Sequence, residues 1–219
     1  MNKINIPQNS ILGINYSGMH DSAVSIVSAK GEVVFSSSLE RFSRIKQDGR
    51  FPKKLLELIP MENINKVAVS NEKEYTPLHY NRSIFLVHKL TNETVIDRSH
   101  QKIYYEQLNR IKKEKIFFSH HLSHASSSFY ASGFKEAVCL VYDGGMANEQ
   151  WFGGVYKANK NDISVIDRFS AQTYANITYI YTVVTALLGF TPVKHEGKIT
   201  GLAALGIPKQ ECKDILLFG

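Results

Sequence analysis

The sequence predicts an α/β fold built from two similar halves that face a cleft. Residues 11–39 and 136–170 each have the pattern of three strands separated by short polar turns. Each stretch opens with a buried strand that ends in a polar turn, and segments with helical spacing follow it. A repeat of pattern rather than of residue identity is typical of a duplicated fold. With 219 residues, 43% of them hydrophobic, the chain can bury the core that this fold requires.

The predicted elements of the first half follow the periodicity of its apolar residues. A helix is expected at 51–59, where Pro52 suits a first turn, and a buried strand at 65–71. Helices are also expected at 78–90 and 99–113. The remaining strands are "ILGINY", "SAVSIVS", "VVFSSSL" and, after the second of those helices, "KIFFS".

A histidine-rich helix is predicted in "FFSHHLSHASSSFYASGF", residues 117–134. Ser119 is a suitable N-cap and Gly133 a suitable stop. Because positions i and i+4 share one face of a helix, His120 and His124 lie one turn apart and can bind one metal ion together.

Asp143 is the predicted third ligand of this pair. It ends the strand "CLVYD" and precedes two glycines, a position from which a carboxylate projects into a cleft. Imidazole with carboxylate suits iron, zinc or manganese. His121 points about 100° away from the pair on an ideal helix, so it is not expected to be a ligand. The spacing also allows an alternative, a capped helix with exposed histidines.

The second half repeats the meander in "EAVCLVYD", "QWFGGVYKA" and "ISVIDRFS". The apolar stretch 177–190 is shorter than the ~20 residues that span a bilayer and contains Thr and Tyr hydroxyls, so a buried helix is expected. We assign residues 1–134, with the histidine helix, to the first half and 135–219 to the second. The second half lacks the elements of a full partner, so the chain is expected to be the N-terminal part of a longer protein.

Charge and cysteine content indicate the compartment and the partners. The net charge is +6 and the pI about 9.2, but the basic residues are spread along the chain, so a nucleic-acid partner is not expected. The two cysteines form no CxxC pair, which argues against a disulfide framework and fits a reducing compartment. The first ten residues lack the apolar core of a signal peptide. We therefore expect a cytoplasmic protein without a membrane partner.

Two further stretches suit a substrate with hydroxyl or phosphate groups. In the turn 15–25, His20 can act as a general base, and the alternative is an ordinary polar turn. In the loop 38–52, Arg41 and Arg44 can grip phosphate or carboxylate, and the alternative is a solvated loop.

A glycine-containing stretch, "KHEGKITGLAALG", lies near the end of the chain at 194–206. Its small residues let the backbone approach a ligand, and Lys198 could meet a phosphate. It is not a P-loop, because the G-x-x-x-x-G-K-[ST] spacing is absent.

Taken in order, "LGIN", "HDSA", "LERFSRIK", "HHLSHA", "VYDG" and "HEGKITGLAALG" make the sequence resemble the carbamoyltransferase family from about residue 11 to 206. That family includes nodulation-factor, tobramycin and cephamycin O-carbamoyltransferases. The resemblance implies an actin/hexokinase/Hsp70-like fold with duplicated RNase-H-like halves around a nucleotide cleft, the second half being incomplete here. It also implies carbamoyl transfer to a hydroxyl of a small molecule from carbamoyl-adenylate, which is made from carbamoyl phosphate and ATP.

The resemblance further implies roles for individual residues. An iron ion, or another divalent metal, would be held by His120, His124 and Asp143, and His20 would deprotonate the acceptor hydroxyl. The residues expected near the nucleotide or the acceptor are Arg41, Arg44, Glu196, Gly197, Lys198 and Gly201.

The sequence departs from the family in length, since members run to about twice as many residues or more and carry a further metal aspartate and a C-terminal domain. A homodimer, or a remaining domain supplied from elsewhere, is therefore among the expected partners. Two alternative functions stay open. One is a non-catalytic metal- or nucleotide-binding fragment that acts with a partner, and the other is a sugar-kinase-like ATPase of the same fold class.

Overall fold

The computed structural model describes residues 3–16, 21–70, 106–143, 151–170, 177–192 and 194–211. The chain divides into two compact units, which are described separately. The first contains Met1–Asn81 and Ile96–Ala175, and the second contains Arg82–Val95 and Asn176–Gly219. The predicted boundary between two halves at residue 134 stays a prediction, and the predicted helix at 78–90 lies outside the described residues.

A five-stranded sheet forms the first part of unit one. Its strands are β1 (Ser10–Asn15), β2 (Ala23–Val27), β3 (Val33–Ser38), β4 (Ile64–Val69) and β5 (Lys115–Phe117), in the order β3-β2-β1-β4-β5. The first three strands form the predicted antiparallel meander, and β4 and β5 join it in parallel with β1. The carboxyl ends of β1, β4 and β5 therefore lie along one edge of the sheet.

Short helices connect β3 to β4. They are α1 (Glu40–Ser43), α2 (Lys53–Leu56) and a 3-10 turn at Met61–Asn63. The helix predicted at 51–59 is shorter than expected, because the backbone N–H groups of Leu58 and Ile59 bond three residues back rather than four. Residues 106–109, part of the helix predicted at 99–113, are helical.

The core of this sheet is formed by the apolar residues that alternate along its strands. Leu12 and Ile26 are completely buried, and Leu55 from α2 packs with them. Leu108 and Ile111, from the segment 99–113, are buried in the same cluster. Burial of one face thus fixes the strand register, since a slip by one residue would expose the whole set.

A second, three-stranded sheet follows in the same unit. It contains β6 (Glu136–Tyr142), β7 (Trp151–Asn159) and β8 (Asp162–Ser170), all antiparallel, as the repeated meander predicts. The histidine helix, α3 (His120–Ser132), packs on one face of this sheet. The shared cluster comprises Ala125 and Phe129 of the helix with Cys139, Val141, Tyr156 and Ala158 of the strands.

Both sheets with their helices confirm the predicted α/β class with two related meanders. The meanders correspond strand for strand: β1-β2-β3 in the first sheet and β6-β7-β8 in the second.

The second unit contains α4 (Ile177–Leu187) and α5 (Glu196–Ala203). The helix predicted in 177–190 is present, but the expectation that it is buried is only partly met. Thr185 is fully buried, whereas Tyr181, Leu187 and Leu188 are exposed, because the short α5 is the element that packs on it among the described residues. In the part of the chain that the structure describes, no helix combines the length and apolarity needed to cross a bilayer.

Candidate metal centre

The histidine helix begins beside the carboxyl edge of the first sheet. The backbone N–H of Ser70, after β4, donates to the carbonyl of Ile14 at 3.1 Å, and that of Phe118, after β5, donates to Val69 at 2.9 Å. The chain then enters α3 two residues later. Ligands of α/β proteins commonly bind at the carboxyl ends of strands, so the start of α3 is well placed for a site.

Local interactions fix the first turn of α3. Ser119 is the N-cap, and its side chain accepts a hydrogen bond from the backbone N–H of Leu122. His121 is 1% exposed and turns into the protein, as its predicted direction requires. His120 and His124 lie on another face, where His124 is more exposed than His120.

Asp143 reaches the same place from the end of β6. Gly133 adopts the left-handed conformation that ends α3, with φ of 75°, and the chain then returns along the helix as β6. Because β6 runs back toward the start of α3, its last residues lie beside the first turn of that helix. The backbone N–H of Asp143 donates to the carbonyl of Phe152 at 2.7 Å, which anchors the carboxylate to β7.

Three side-chain atoms converge at this point. Oδ2 of Asp143 lies 2.7 Å from Nε2 of His120 and 3.3 Å from Nε2 of His124. The two Nε2 atoms are 3.0 Å apart, and their rings stand at 89° to each other. The structure thus brings together the three residues that the sequence singled out as a candidate ligand set.

The spacing of these atoms fits a divalent cation. Ligands about 2.1 Å from a metal ion lie roughly 3.0 Å apart at octahedral angles and roughly 3.4 Å apart at tetrahedral angles. The observed separations of 2.7 and 3.0 Å are closer to the octahedral value, and the third, 3.3 Å, is closer to the tetrahedral value. Two imidazoles and one carboxylate are a ligand set that suits iron or manganese.

A polar network, which the sequence did not predict, joins the ends of β1 and β4. Asn15, the last residue of β1, donates from Nδ2 to the carbonyl of Asp21 at 2.9 Å and accepts from the Ser70 hydroxyl at 2.9 Å. It thereby ties the end of the first turn to the end of β4. Asn15 lies in the predicted turn 15–25 and Ser70 in the strand predicted at 65–71, and neither pattern indicates that the two side chains meet.

His20 lies outside the described residues, but both flanks of its turn are described. Tyr16 is 2% exposed, its ring meets that of Phe51 edge-on at 5.3 Å, and burial raises the pKa of its hydroxyl. Asp21 has a φ of 53° and its carbonyl is held by Asn15. The base role of His20 stays a prediction.

The loop that carries Arg41 and Arg44 is docked beside this turn. The backbone N–H of Ser22 donates to the carbonyl of Asp48 at 2.9 Å, and the carboxylate of Glu40 accepts from the N–H of Gln47 at 3.0 Å. Both arginines are exposed, and Arg44 adopts a left-handed conformation with φ of 59°. Strained conformations of this kind persist where the surrounding contacts over-determine the loop.

Asp48 anchors that loop, and sequence reasoning missed it. Its carboxylate is 2% exposed and accepts two bonds from the Arg50 guanidinium, at 2.6 and 2.9 Å. Hydrogen bonding from Arg50 is the main reason that the pKa of Asp48 is lowered to about 2. One acidic residue among several basic ones gives no signal in the sequence that it will be buried.

The predicted residues of the glycine-containing stretch lie on α5 in the second unit. Nζ of Lys198 lies 5.6 Å from the ring centroid of Phe190, a cation–π contact within that unit. A Cβ atom added at Gly197 or Gly201 would meet no heavy atom within 4 Å, so both positions are open. A role for these residues and for Glu196 in binding a nucleotide stays a prediction.

Comparison with known proteins identifies the relatives of this chain. A family model described as "Carbamoyltransferase N-terminus" matches residues 10–217. An uncharacterized protein of Methanocaldococcus jannaschii is 30% identical over 190 residues, which cover 84% of this chain and 31% of that protein. The nodulation protein NolNO of Sinorhizobium fredii is 25% identical over 209 residues, which cover 87% of this chain and 28% of that protein.

The chain spans about a third of the length of these curated relatives. Among solved structures, YeaZ from Pseudomonas aeruginosa aligns with a TM-score of 0.41 at 8% identity, over 77% of this chain and 70% of YeaZ.

Proposed function

The chain belongs to the carbamoyltransferase family, and from that premise we propose that it forms the metal-binding N-terminal part of an O-carbamoyltransferase. The reaction would move a carbamoyl group from carbamoyl-adenylate, made from carbamoyl phosphate and ATP, to a hydroxyl of a small molecule. The observation that carries the proposal is the convergence of three potential ligand atoms, all within 4.8 Å of one another, at the edge where β1, β4 and β5 end. A cytoplasmic location is part of the proposal.

His120, His124 and Asp143 would hold the metal, for which we propose iron. A metal bound there supplies Lewis-acid chemistry, the neutralisation of phosphate charge. The side chains are 20%, 51% and 29% exposed respectively, so the ligand set is fixed on one side and open to solvent on the other.

Residues of the first turn would activate the acceptor, and residues of the basic loop would bind the anionic donor or the acceptor. His20 would take the proton from the acceptor hydroxyl, whose oxygen attacks the carbamoyl carbon. The bond between that carbon and the adenylate phosphate oxygen breaks, and AMP leaves with the electron pair. Arg41 and Arg44 would bind the phosphate or the acceptor, because a guanidinium group forms bidentate hydrogen bonds with phosphate or carboxylate oxygens. We assign Lys198 and its neighbours on α5 to the nucleotide.

Metal binding is the most direct test of the site. Purified protein should bind one equivalent of iron(II) or manganese(II), measured by titration and by metal analysis. His124→Ala removes one of three ligands, so we expect affinity to fall by a factor of about 100 or more. Ser128→Ala, an exposed position on the same helix, is the matched control and should bind as the wild type does. Equal binding by His124→Ala and the wild type would refute the ligand set.

Transfer of labelled carbamoyl from carbamoyl-adenylate to a panel of hydroxyl acceptors tests the reaction itself. His20→Ala is expected to slow transfer by about 100-fold or more, because a positioned general base contributes that much. Metal content should stay unchanged in this variant. An unchanged transfer rate would remove His20 from the mechanism while leaving the metal site in place.

A second candidate function is metal or nucleotide binding without catalysis by this chain alone. The chain spans about a third of the length of its relatives, and in this second proposal it binds metal or nucleotide and acts with a partner that supplies catalytic residues. Metal binding without transfer, followed by transfer when the remainder of a family member is added, would select this candidate.

A further inference from the structure

An open pocket of about 390 Å³ lies at the end of α3 opposite to the metal centre. It forms where the helix stops and the turn between β7 and β8 comes alongside. The helix has 13 residues, so at about 1.5 Å per residue the two sites are roughly 20 Å apart. The residues that line this helix-end pocket are Phe129, Tyr130, Gly133, Phe134, Lys135 and Lys160.

Three aromatic rings give the helix-end pocket an apolar interior. Phe129 is 3% exposed and belongs to the core, while Tyr130 and Phe134 are 61% and 67% exposed. The rings of Phe129 and Tyr130 meet edge-on at 5.2 Å. A volume in the range of small-molecule sites with mainly apolar walls is typical of a pocket for an organic ligand.

The helix-end pocket is held in shape by the way α3 ends. The hydroxyl of Ser132 donates to the carbonyl of Phe129 at 2.7 Å and accepts from the N–H of Phe134 at 3.1 Å. A Cβ atom added at Gly133 would meet no heavy atom within 4 Å, so the space beside this residue is open. A pocket ordered in advance loses less entropy when a ligand binds.

The charge in the helix-end pocket is positive. Lys135 and Lys160 line it, and neither forms an ion pair with a carboxylate among the described residues. Glu136 and Asp162, which lie close in sequence, are not part of the lining. The end of a helix carries about half a negative charge, which two lysines outweigh.

We propose that the helix-end pocket binds a small carboxylate with an aryl or alkyl body. The rings would cover the apolar body, and the two lysines would pair with the carboxylate. This inference is independent of carbamoyl transfer, because none of the residues assigned to that reaction lines the pocket.

Titration calorimetry and saturation-transfer NMR with 4-phenylbutanoate and decanoate on the whole chain test the proposal. Both probes should bind, and 4-phenylbutanamide, which has the same body without the charge, should bind about 5-fold more weakly. Lys135→Glu with Lys160→Glu should weaken carboxylate binding by about 10-fold and leave amide binding nearly unchanged. Lys30→Glu with Lys54→Glu is the matched control of equal charge on exposed positions outside the pocket.

The apolar part of the helix-end pocket is tested by Tyr130→Ala with Phe134→Ala. Both rings are largely exposed, so this variant should fold, as checked by circular dichroism, and should lose affinity for all three probes by 10-fold or more. The absence of binding by the wild type at millimolar carboxylate would overturn the proposal. So would equal affinity of the wild type and either pocket variant for the two carboxylates, or a concentration-dependent dimer that disappears in Tyr130→Ala with Phe134→Ala.

Discussion

At the scale of single residues, Asp48 illustrates how one buried carboxylate organises a basic loop. Its backbone carbonyl holds Ser22 next to the first turn, while its side chain holds Arg50. The Arg50 side chain is 59% exposed, so only the Asp48 carboxylate of this ion pair is buried. Replacing the carboxylate should therefore loosen the loop that presents Arg41 and Arg44.

Asp48→Asn should lower the free energy of unfolding by about 1–2 kcal/mol at pH 7, a figure reduced because water screens the exposed guanidinium. The pKa of Asp48 is about 2 in the folded protein, compared with an ordinary value of 3.8 for an aspartate. Its contribution is therefore complete above about pH 4 and is lost as the pH falls toward 2. Urea unfolding at several pH values should show a weaker acid dependence in the variant than in the wild type.

Asp162→Asn, at an exposed position, is the control and should follow the wild type across the same pH range. If Asp48→Asn retained the full acid dependence of the wild type, another carboxylate would have to be responsible.

Which site residues the sequence could predict depends on whether their positions follow from local geometry. His120 and His124 meet because helical spacing alone places them one turn apart, and Asp143 could be added because strand ends meet helix starts in α/β folds. The burial of Asp48 depends on the path of a loop with two left-handed non-glycine residues, Arg44 and Gln47, and no periodicity encodes that path.

At the scale of elements, β7 contains a bulge next to Asp143, the aspartate of the candidate metal centre. The register between β7 and β8 shifts between Trp151 and Gly153, and Gly153 has a φ of 154°. The neighbouring carbonyl, that of Phe152, is the acceptor for the N–H of Asp143. Bulges of this kind redirect side chains next to functional sites.

Gly153→Ala should destabilise the protein by about 3 kcal/mol or more, because the new Cβ would lie 2.0 Å from the carbonyl oxygen of Val141. Metal affinity should fall with it, since Asp143 is held by the same strand. Thermal unfolding and metal titration measure the two effects.

Gly13→Ala is the matched control in the other sheet. Its new Cβ would approach the Ser25 hydroxyl oxygen at 2.6 Å, but that atom ends a side chain that can rotate away. We expect a much smaller loss of stability and no change in metal affinity. Similar losses in the two variants would show that the bulge at Gly153 has no special role.

At the scale of the whole molecule, the repeated meander was predictable because alternation of apolar residues defines strands and the short polar turns define their order. The parallel addition of β4 and β5 was not, since pairing between distant segments leaves no local pattern. The exposure of α4 escaped prediction for a related reason, because an apolar helix is buried only where another element covers it.

Metal binding should stabilise the folded chain as a whole. A ligand at 100 times its dissociation constant adds about 2.7 kcal/mol, which for a chain of this size raises the Tm by roughly 5–10 °C. Manganese(II) should produce this rise in the wild type, and a chelator should reverse it. His124→Ala should have the same Tm with and without the metal, whereas a rise equal to that of the wild type would place the binding elsewhere.

The hairpin of α3 and β6 has a further consequence. The segment from His120 to Asp143 contains 24 residues, so a cation bound by both ends would cross-link the chain into a loop of that length. In an unfolded chain, the length-dependent part of the entropic free-energy cost of closing such a loop is about 3 kcal/mol. An ion at this position would thus act as a reversible cross-link between α3 and β6. Slower amide hydrogen exchange from Leu122 to Tyr142 in the presence of the metal would report its binding.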